Sequence, residues 1–454
     1  NRGCSLSCCK FLYNIFLYPI KQTVLVIGEV EAMQQLLEKA GYEIVPFEEG
    51  ADIYLINTCT VTNIADRKSR QMLHKAKKMN PDAIVVATGC YVQTDTQKLE
   101  ADSAVDLILG NNQKKQIVEA LEEYEKEHAK KVKVIEINKT KEYEELSIGY
   151  TAEHVRAYIK VQDGCNQFCT YCIIPYARGR VRSRKIAEVL EEVRTLAARG
   201  YKEVVLTGIH LSSYGLDFPK EERESLLSLI QAVHEVDGIA RIRLGSLEPR
   251  IITEEFMEGI SALPKVCPHF HLSLQSGCDK TLKNMNRRYS APEYAEKCEL
   301  IRRFYPAPAL TTDVIVGFPM ETEEDFEDSY EFVKNIHFYE THIFKYSRRQ
   351  GTKAAAMDGQ LTEAVKAQRS EKMLKLHEIR AKEYETSMIG RTLELLLEEE
   401  VEIGGKTYFM AHSKEYVRAV IEKTDAHKVN DLVKAKAVDF ADEHVLLAIC
   451  EDLY

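Results

Sequence analysis

The chain has 454 residues, more than one ordinary hydrophobic core accommodates, so two or three domains are expected. Hydrophobic residues make up 45% and charged residues 29%, as in ordinary globular proteins, and no apolar run approaches the roughly 20 residues that cross a bilayer. The net charge of −10 excludes a global basic field, so a nucleic-acid partner would need local basic patches. Twelve cysteines in so long a chain indicate metal binding rather than a disulfide framework.

The N-terminal part alternates between strand and helix patterns. Short apolar runs at residues 23–27, 53–56, 84–87 and 106–109 predict strands, and periodic runs at 31–40 and 65–79 predict helices. This spacing predicts a parallel α/β sheet, in which ligand-bearing residues lie at the carboxyl ends of the strands. Cys59 and Cys90 each follow such a strand. Residues 118–153 are rich in charge and predict a last helix followed by a linker.

A second α/β series follows. Its candidate strands are residues 157–161, 203–207, 241–244, 270–274, 312–316 and 341–344, with helices such as 186–198 and 323–335 between them. Six β/α units predict a partial (β/α)6 barrel, with the chemistry at the carboxyl ends of the strands. From about residue 384 the pattern changes to short, strand-like segments. Five of them predict a small all-β barrel, of the kind found in oligonucleotide-binding folds, and they are residues 392–401, 407–412, 416–420, 432–438 and 444–449.

Three cysteines form the most specific motif. Cys165, Cys169 and Cys172 lie in the run CNQFCTYC, just after the first strand of the second series. A loop with this spacing can give three thiolates to three irons of a [4Fe–4S] cube and leave the fourth iron open to a chelating cofactor. Buried structural cysteines are one alternative. A zinc site is another, but it would need a fourth ligand, and none lies close in the sequence.

The run CNQFCTYC matches the CxxxCxxC signature of radical S-adenosylmethionine (SAM) enzymes. Its flanks, KVQDG and IIPYARGRVRSR, resemble the methylthiotransferases of that group, as do INTCTVTNIADRKSRQ, ATGCYVQ, HLSLQSGCDKTLKNMNRRY and DVIVGFPMETEEDF. The resemblance covers almost all of residues 31–454. It is strongest to the branch that modifies threonylcarbamoyl-adenosine beside the anticodon of tRNA.

The resemblance implies a transferase with two [4Fe–4S] clusters. Cys165, Cys169 and Cys172 would hold the cluster that binds and cleaves SAM, and Cys59 and Cys90 would belong to an auxiliary cluster that delivers the methylthio group to carbon 2 of the adenine. The implied divisions are an atypical segment (1–22), a methylthiotransferase domain (23–125), a linker (126–150), a radical SAM domain (151–383) and an RNA-binding TRAM domain (384–454).

The third ligand of the auxiliary cluster is missing from the expected place. The resemblance puts that cysteine near position 23, which is Thr23 here, and residues 1–30 do not look like the family. Two explanations stay open. Either the natural ligand is absent from this version of the N-terminus through a sequence or gene-model error, or Cys4, Cys8 or Cys9 reaches back to complete the site. Without a ligand, SAM cleavage could survive while methylthiolation would be in doubt.

Other residues at strand ends and in one basic run are candidates for binding. Resemblance to the family implies SAM or substrate contacts for Tyr171, Gly208, Ser246, Glu248, Gln275 and Asp313. Simple turns, core packing or loop solvation explain these residues equally well from the sequence alone. Five basic residues in nine are candidates for phosphate contacts with tRNA, namely Arg178, Arg180, Arg182, Arg184 and Lys185. The basic run 67–78 is a second candidate for contacts with the RNA.

The expected partners are tRNA, SAM and an electron donor such as flavodoxin or ferredoxin, while nothing indicates the sulfur donor. We expect a cytoplasmic protein with no membrane partner. The alternatives are methylthiolation of isopentenyl-adenosine in tRNA or of a ribosomal-protein aspartate, SAM cleavage without sulfur transfer, and a non-catalytic Fe–S protein that only binds RNA.

Overall fold

The computed structural model describes residues 23–27, 31–45, 49–146 and 155–450. It divides into two compact units. The first unit comprises Asn1–Gly149, Asp163–Arg184 and Ser347–Ala356, and the second comprises Tyr150–Gln162, Lys185–Tyr346 and Met357–Tyr454. The five-part domain division predicted from the sequence stays a prediction. In the part of the chain that the structure describes, no helix is both long and apolar enough to cross a membrane.

The strands and helices are numbered in chain order. The strands are β1 Thr23–Ile27, β2 Glu43–Ile44, β3 Ile53–Thr58, β4 Ile84–Gly89, β5 Leu107–Leu109, β6 Lys131–Lys133, β7 Arg156–Asp163, β8 Arg182–Ser183, β9 Glu203–Gly208, β10 Arg241–Leu244, β11 His269–His271, β12 Ala309–Val316, β13 Glu340–Lys345, β14 Thr392–Ile403, β15 Lys406–Ser413, β16 Arg418–Glu422, β17 Leu432–Asp442 and β18 Val445–Cys450. The helices are α1 Glu31–Lys39, α2 Asn63–Met79, α3 Cys90–Thr94, α4 Thr96–Glu100, α5 Ile117–Glu127, α6 Ile174–Ala177, α7 Ile186–Ala198, α8 Leu226–His234, α9 Glu254–Ser261, α10 Asp279–Asn284, α11 Ala291–Phe304, α12 Glu323–Ile336 and α13 Glu363–Ser387.

The first unit is built on a parallel sheet in the order β2-β1-β3-β4-β5-β6. Side chains alternate between its two faces, as the two-residue period of a strand requires. On β3, Tyr54 packs into the cluster that contains Leu73 of α2, whereas Leu55 packs into the cluster that contains Leu37 of α1 and Leu121 of α5. Helices therefore cover both faces, which confirms the predicted α/β layers.

The predicted linker contains an unexpected strand. β6 lies within residues 126–150 and pairs with β5 in parallel, with Leu107 opposite Lys131. In its sequence, Lys-Val-Lys, the valine is exposed and the two lysines are half-buried. Charged side chains of this kind are common on edge strands. The charge-rich composition therefore hid a strand that extends the sheet.

The second unit contains six parallel strands in the order β7-β9-β10-β11-β12-β13. Single parallel bridges, Ile242 with Val266 and Leu247 with Leu272, join β10 to the segments around β11. The main apolar core lies between these strands and the helices that alternate with them. This confirms the predicted partial (β/α)6 barrel, although β11 is shorter than the run 270–274 predicted for it.

The C-terminal strands close into a five-stranded barrel in the order β14-β15-β16-β18-β17. Leu395, Leu397, Phe409 and Ala411 fill its interior. Because every strand is paired on both sides, this small barrel has no open edge. The predicted all-β C-terminal region is confirmed.

A buried ion cluster joins the C-terminal barrel to the partial barrel. Glu203 on β9 is fully buried, with Arg243 Nε at 2.8 Å and guanidinium nitrogens of Arg156 and Arg241 at 3.5 Å. Arg241 also donates from Nη1 to the carbonyl of His412 on β15, at 3.0 Å. Burial by itself would raise the pKa of Glu203, but Arg243 and Arg156 lower this pKa to about 2. The cluster therefore depends on an ionised carboxylate.

Candidate iron–sulfur and SAM site

The three-cysteine loop of the first unit has a tightly specified backbone. Its turns use Gly164 at φ +71° and Phe168 at φ +53°. The backbone N–H of Cys165 donates to the Gly179 carbonyl at 3.0 Å, and a Cβ at Gly164 would lie 1.8 Å from the Arg180 carbonyl oxygen. Only glycine fits that close approach at a positive φ. The loop is thus closed against the segment that follows it.

The thiols of this loop differ in exposure. Cys165 is buried, whereas Cys169 and Cys172 are partly exposed. The backbone N–H of Gln167 donates to Cys165 Sγ at 3.5 Å, and that of Cys172 donates to the Cys169 carbonyl at 3.0 Å. An N–H directed at a sulfur suits a metal-bound thiolate, because such second contacts orient and stabilise ligands.

A second group of potential metal ligands lies in the partial barrel. Among the described residues, the ligand atoms of His271, Asp313 and His342 all lie within 4.8 Å of one another. The three cysteines offer thiolates only, and on a [4Fe–4S] cluster each thiolate would bind its own iron.

Cys59 and Cys90 lie side by side at the carboxyl edge of the first sheet. Each follows a strand, and the last residues of these strands, Thr58 and Gly89, are paired in parallel register. Gly89 has φ +99°, and a Cβ there would lie 2.4 Å from the Thr58 carbonyl oxygen. The two cysteines therefore lie at one edge of the sheet, where the sequence predicted them.

Donor groups surround both of these cysteines. Ser69 Oγ of α2 lies 3.2 Å from both the backbone nitrogen and the carbonyl oxygen of Cys59. Arg178 Nε donates to Cys90 Sγ at 3.0 Å, and Asn111 Nδ2 lies 3.7 Å from the same sulfur. These contacts place a positive charge and two N–H donors at Cys90, which is a suitable environment for an anionic sulfur ligand.

The candidates for the third ligand of the auxiliary cluster lie near the N-terminus. Cys4, Cys8 and Cys9 lie outside the described residues, and Thr23 begins β1, of which only the backbone course is described. Both explanations for the N-terminus therefore stay open.

An arginine from a distant segment anchors the loop that carries Cys59. Arg349 is buried, and its guanidinium contacts the Thr60 carbonyl at 3.0 Å, the Thr60 hydroxyl at 2.6 Å, and the carboxylates of Asp66 and Asp95 at 3.2 Å each. The sequence analysis missed this residue. Nothing in its neighbourhood, KYSRRQGT, distinguishes it from the exposed Arg348 beside it.

The predicted SAM-binding residues fall into both units. Tyr171 belongs to the first unit, whereas the other five belong to the second, namely Gly208, Ser246, Glu248, Gln275 and Asp313. Gly208 ends β9, where a Cβ would lie 2.9 Å from the Gln162 side chain. Ser246 is exposed just after β10. Gly208, Ser246 and Glu248 lie at or just after strand carboxyl ends, as predicted, whereas Asp313 lies inside β12. The SAM contacts of all six residues stay a prediction.

Hydrogen bonds hold three of these residues, and one of the bonds joins two of them. The backbone N–H of Glu248 donates to Ser212 Oγ at 2.8 Å. Gln275, at φ +73°, donates its backbone N–H to the carbonyl of Asp313 at 2.8 Å. The Asp313 carboxylate in turn lies 3.3 Å from His271 Nε2. Burial opposes ionisation of Asp313, but the hydrogen bond from His271 lowers its pKa.

Several histidines near these positions were not predicted. His210 follows β9, and its backbone N–H donates to Gln162 Oε1 at 2.7 Å. Burial lowers the pKa of His210 to about 4, so its ring is neutral at pH 7. His271 stacks on His342 with the ring centroids 5.6 Å apart. A signal was present for His210, which lies two residues after the predicted binding residue Gly208.

The predicted RNA-binding run needs a correction. Arg182 and Arg184 are buried, at 1% and 4% exposure, so the guanidinium groups of these residues cannot contact a phosphate at the surface. The guanidinium of Arg178 donates to the Cys90 sulfur. Lys185 is partly exposed and lies 3.1 Å from Glu222. Arg180 is exposed, with its guanidinium 4.6 Å from the Phe168 ring centre. The four arginines are spaced two residues apart, and only Arg182 lies in the two-residue strand β8, so the sequence pattern does not reveal which of them are buried.

Comparison with known families matches both halves of this site. The Radical SAM superfamily matches residues 159–333, and the uncharacterized protein family UPF0004 matches residues 27–110. The partial-barrel fold is similar to that of the radical S-adenosylmethionine methyltransferase TsrM from Kitasatospora setae, with a TM-score of 0.53 and 15% identity over 69% of this chain and 71% of that chain.

Curated relatives are similar over most of their length. The threonylcarbamoyladenosine tRNA methylthiotransferase MtaB of Bacillus subtilis is 40% identical over 90% of this chain and 90% of its own, and that of Aquifex aeolicus is 43% identical over 82% and 90%. A tRNA-2-methylthio-N(6)-dimethylallyladenosine synthase of Moorella thermoacetica is 37% identical over 81% and 83%. The chain therefore belongs to the radical SAM methylthiotransferase family, whose members use SAM and [4Fe–4S] clusters.

Proposed function

We propose that the protein transfers a methylthio group to carbon 2 of N-threonylcarbamoyl-adenosine, next to the anticodon of tRNA. The observation that carries this proposal is the placement of two cysteine sets in one compact unit. Cys59 and Cys90 share a sheet edge, and the loop of Cys165, Cys169 and Cys172 belongs to the same unit. The relatives named as threonylcarbamoyladenosine tRNA methylthiotransferases support this choice of nucleoside.

Each set of cysteines has its own role in this proposal. Cys165, Cys169 and Cys172 hold the cluster at which SAM binds, and Cys59 and Cys90 hold the auxiliary cluster together with a third ligand. When bound, the first cluster supplies the electron that breaks a carbon–sulfur bond of SAM, and the second supplies the sulfur. The chain itself orients the Cys165 sulfur through the backbone N–H of Gln167 and holds the Cys59 backbone through Ser69 Oγ, and it encloses Cys165 and Cys90 away from water.

The tRNA is held by exposed basic residues in this proposal. Helix α2 begins at its N-cap Thr62 and presents Arg67, Lys68 and Lys75 to solvent, while Arg180 is exposed beside the three-cysteine loop. The C-terminal barrel, which we assign as a TRAM domain, exposes Lys434 and Lys436 at alternate positions of β17 and adds a further basic face. Single-stranded anticodon loops suit such recognition, because their bases can be turned outward.

The setting of the reaction follows from this assignment. We place the enzyme in the cytoplasm, where tRNA is found. A reduced flavodoxin or ferredoxin is the proposed electron donor.

Nucleoside mass spectrometry tests the proposal directly. In parallel samples, tRNA that carries threonylcarbamoyl-adenosine without a methylthio group, tRNA that carries isopentenyl-adenosine, and ribosomal protein are incubated anaerobically with reconstituted enzyme, SAM, a sulfur source and reductant, and the products are examined. We expect the 2-methylthio form of threonylcarbamoyl-adenosine. Methylthiolation of isopentenyl-adenosine instead would reassign the substrate to that of the dimethylallyladenosine relatives. A mass shift confined to a ribosomal protein, or no product at all, would refute a role in tRNA modification.

Cysteine variants separate the two halves of the reaction. Cys165→Ala is expected to abolish release of 5′-deoxyadenosine from SAM, whereas Cys90→Ala is expected to retain that release and lose the methylthio product. Cys298→Ala is the matched control, because burial raises the pKa of Cys298 to about 12 and keeps it a neutral thiol inside the barrel core. Equal loss of both products in Cys165→Ala and Cys298→Ala would show that the effect is unfolding.

A further inference from the structure

We infer that Arg178 is a positioning residue of the auxiliary cluster, and that its Nε–H donates to the Cys90 sulfur and makes that cluster easier to reduce. This inference rests on the proposed function, since it assumes that Cys90 is a cluster ligand. Arg178 was expected from the sequence to contact tRNA phosphates. The structure instead directs its guanidinium to a cysteine 88 positions earlier in the chain.

The geometry of the contact is that of a hydrogen bond. Arg178 Nε lies 3.0 Å from Cys90 Sγ, and the residue is held at the end of α6 by its own backbone N–H, which donates to the Ile174 carbonyl at 2.7 Å. Asn111, which is buried, donates from Nδ2 to the Ala177 carbonyl at 2.7 Å and lies 3.7 Å from the same sulfur. The end of α6 and the start of α3 are therefore fixed to each other around Cys90.

The same guanidinium also contacts the base of the three-cysteine loop. Arg178 Nη1 lies 3.6 Å from Asp163 Oδ2, two residues before Cys165. Arg182, which is buried, lies at the same distance from that carboxylate oxygen. One side chain thus contacts a ligand of the auxiliary cluster and the segment that leads into the other cluster loop. A displacement of Arg178 would disturb the spacing of the two loops as well as the charge at Cys90.

The chemical effect follows from the charge of arginine. A guanidinium stays protonated throughout the working pH range and donates in fixed, planar directions. Hydrogen bonds to ligand sulfurs and nearby positive charge withdraw electron density from an iron–sulfur cluster and raise its reduction potential. Removal of Arg178 should therefore make the auxiliary cluster harder to reduce. Lysine would keep the charge but not the directed Nε–H bond.

The experiment measures the auxiliary cluster by itself. The variant Cys165→Ala/Cys169→Ala/Cys172→Ala is reconstituted anaerobically so that about four irons per chain remain, and its midpoint potential is determined by titration followed with electron paramagnetic resonance. Arg178→Gln and Arg178→Lys are introduced into this background. Arg180→Gln is the matched control, since Arg180 lies two residues away in the same segment but is exposed and stacks on Phe168.

We expect a more negative midpoint for Arg178→Gln, a smaller shift for Arg178→Lys and none for Arg180→Gln. In the enzyme with all cysteines intact, Arg178→Gln should lower the ratio of methylthio product to 5′-deoxyadenosine. If Arg178→Gln fails to hold iron, the shift in Arg178→Lys decides the question. Unchanged potentials in every Arg178 variant that holds iron overturn the inference.

The outcomes also separate this inference from the proposed function. Absence of iron in the triple-alanine background overturns the inference, because no cluster then exists at Cys90. Absence of methylthio product from the intact enzyme overturns the proposed function, and that result is read from tRNA hydrolysates without any Arg178 variant.

Discussion

Replacement of Arg349 by leucine tests how the Cys59 loop is held. The guanidinium contacts both the carbonyl and the hydroxyl of Thr60, the residue after Cys59, and forms ion pairs with Asp66 and Asp95 at 3.2 Å. The Arg349 side chain is 6% exposed and that of Asp66 is 9% exposed. Leucine would therefore leave a buried carboxylate without its cation.

The magnitude follows from the cost of breaking a buried pair, about 3–5 kcal/mol. Burial already raises the pKa of Asp66, with Thr60 and Arg349 acting against that rise, so loss of Arg349 should raise the pKa further. Protonation of Asp66 relieves part of the penalty, and we expect a loss near the lower limit, about 3 kcal/mol. For a unit of roughly 150–250 residues, this corresponds to a fall in Tm of about 6–12 °C.

Thermal unfolding and iron content are the assays. Arg349→Leu should unfold at a lower temperature. It should also lose iron when Cys165, Cys169 and Cys172 are replaced by alanine, because the loop after β3 is released. The matched control is Arg348→Leu, since Arg348 is exposed and its Nε donates to the Ala355 carbonyl at 2.8 Å. The cost of this change in stability should stay below about 1 kcal/mol. Equal Tm values and iron contents in the two variants would refute the reasoning.

Three further changes probe other parts of the structure. Glu203→Gln should cost about 3 kcal/mol of stability at pH 7, because the folded pKa of Glu203, near 2, lies below the ordinary 4.5. In the native protein this stability is present above pH 4.5 and is lost as the pH falls toward 2. The difference in unfolding free energy between the two proteins, measured by urea denaturation, should therefore be smaller at pH 4 than at pH 7, and an equal difference would contradict the linkage. Gly89→Ala should lower the iron content at the auxiliary site. Gly50→Ala is its control, because Gly50 also has a positive φ, +110°, but no atom lies within 4 Å of the new Cβ, so this change should cost only about 1–2 kcal/mol of strain. Equal iron contents in the two variants would refute the steric argument. Arg180→Gln should reduce the slope of log Kd for tRNA against log salt by about one contact, and an unchanged slope would exclude Arg180 from the RNA interface.

Local patterns in the sequence were sufficient for most of the architecture. Short, continuous apolar runs predicted the strands that precede Cys59 and Cys90, because a strand buried on both faces is apolar at every position. The parallel arrangement then placed both cysteines at one sheet edge, since the carboxyl ends of parallel strands share that edge. The three-cysteine signature needed only eight consecutive residues. By contrast, β6 was missed because an edge strand has too little buried surface to show a pattern.

The sequence by itself thus determined the fold class, the family and the cysteine motif, since each depends on neighbouring residues or on strand order. Only the tertiary structure decided which arginines serve the site. Arg178 meets Cys90 across 88 positions, and Arg349 meets Thr60 across 289. Arg182 and Arg184 lie inside the protein although their sequence resembles an exposed basic loop. A charged side chain is buried only where distant partners converge on it and offset the cost of removing it from water, and that convergence leaves no periodic signal in the chain.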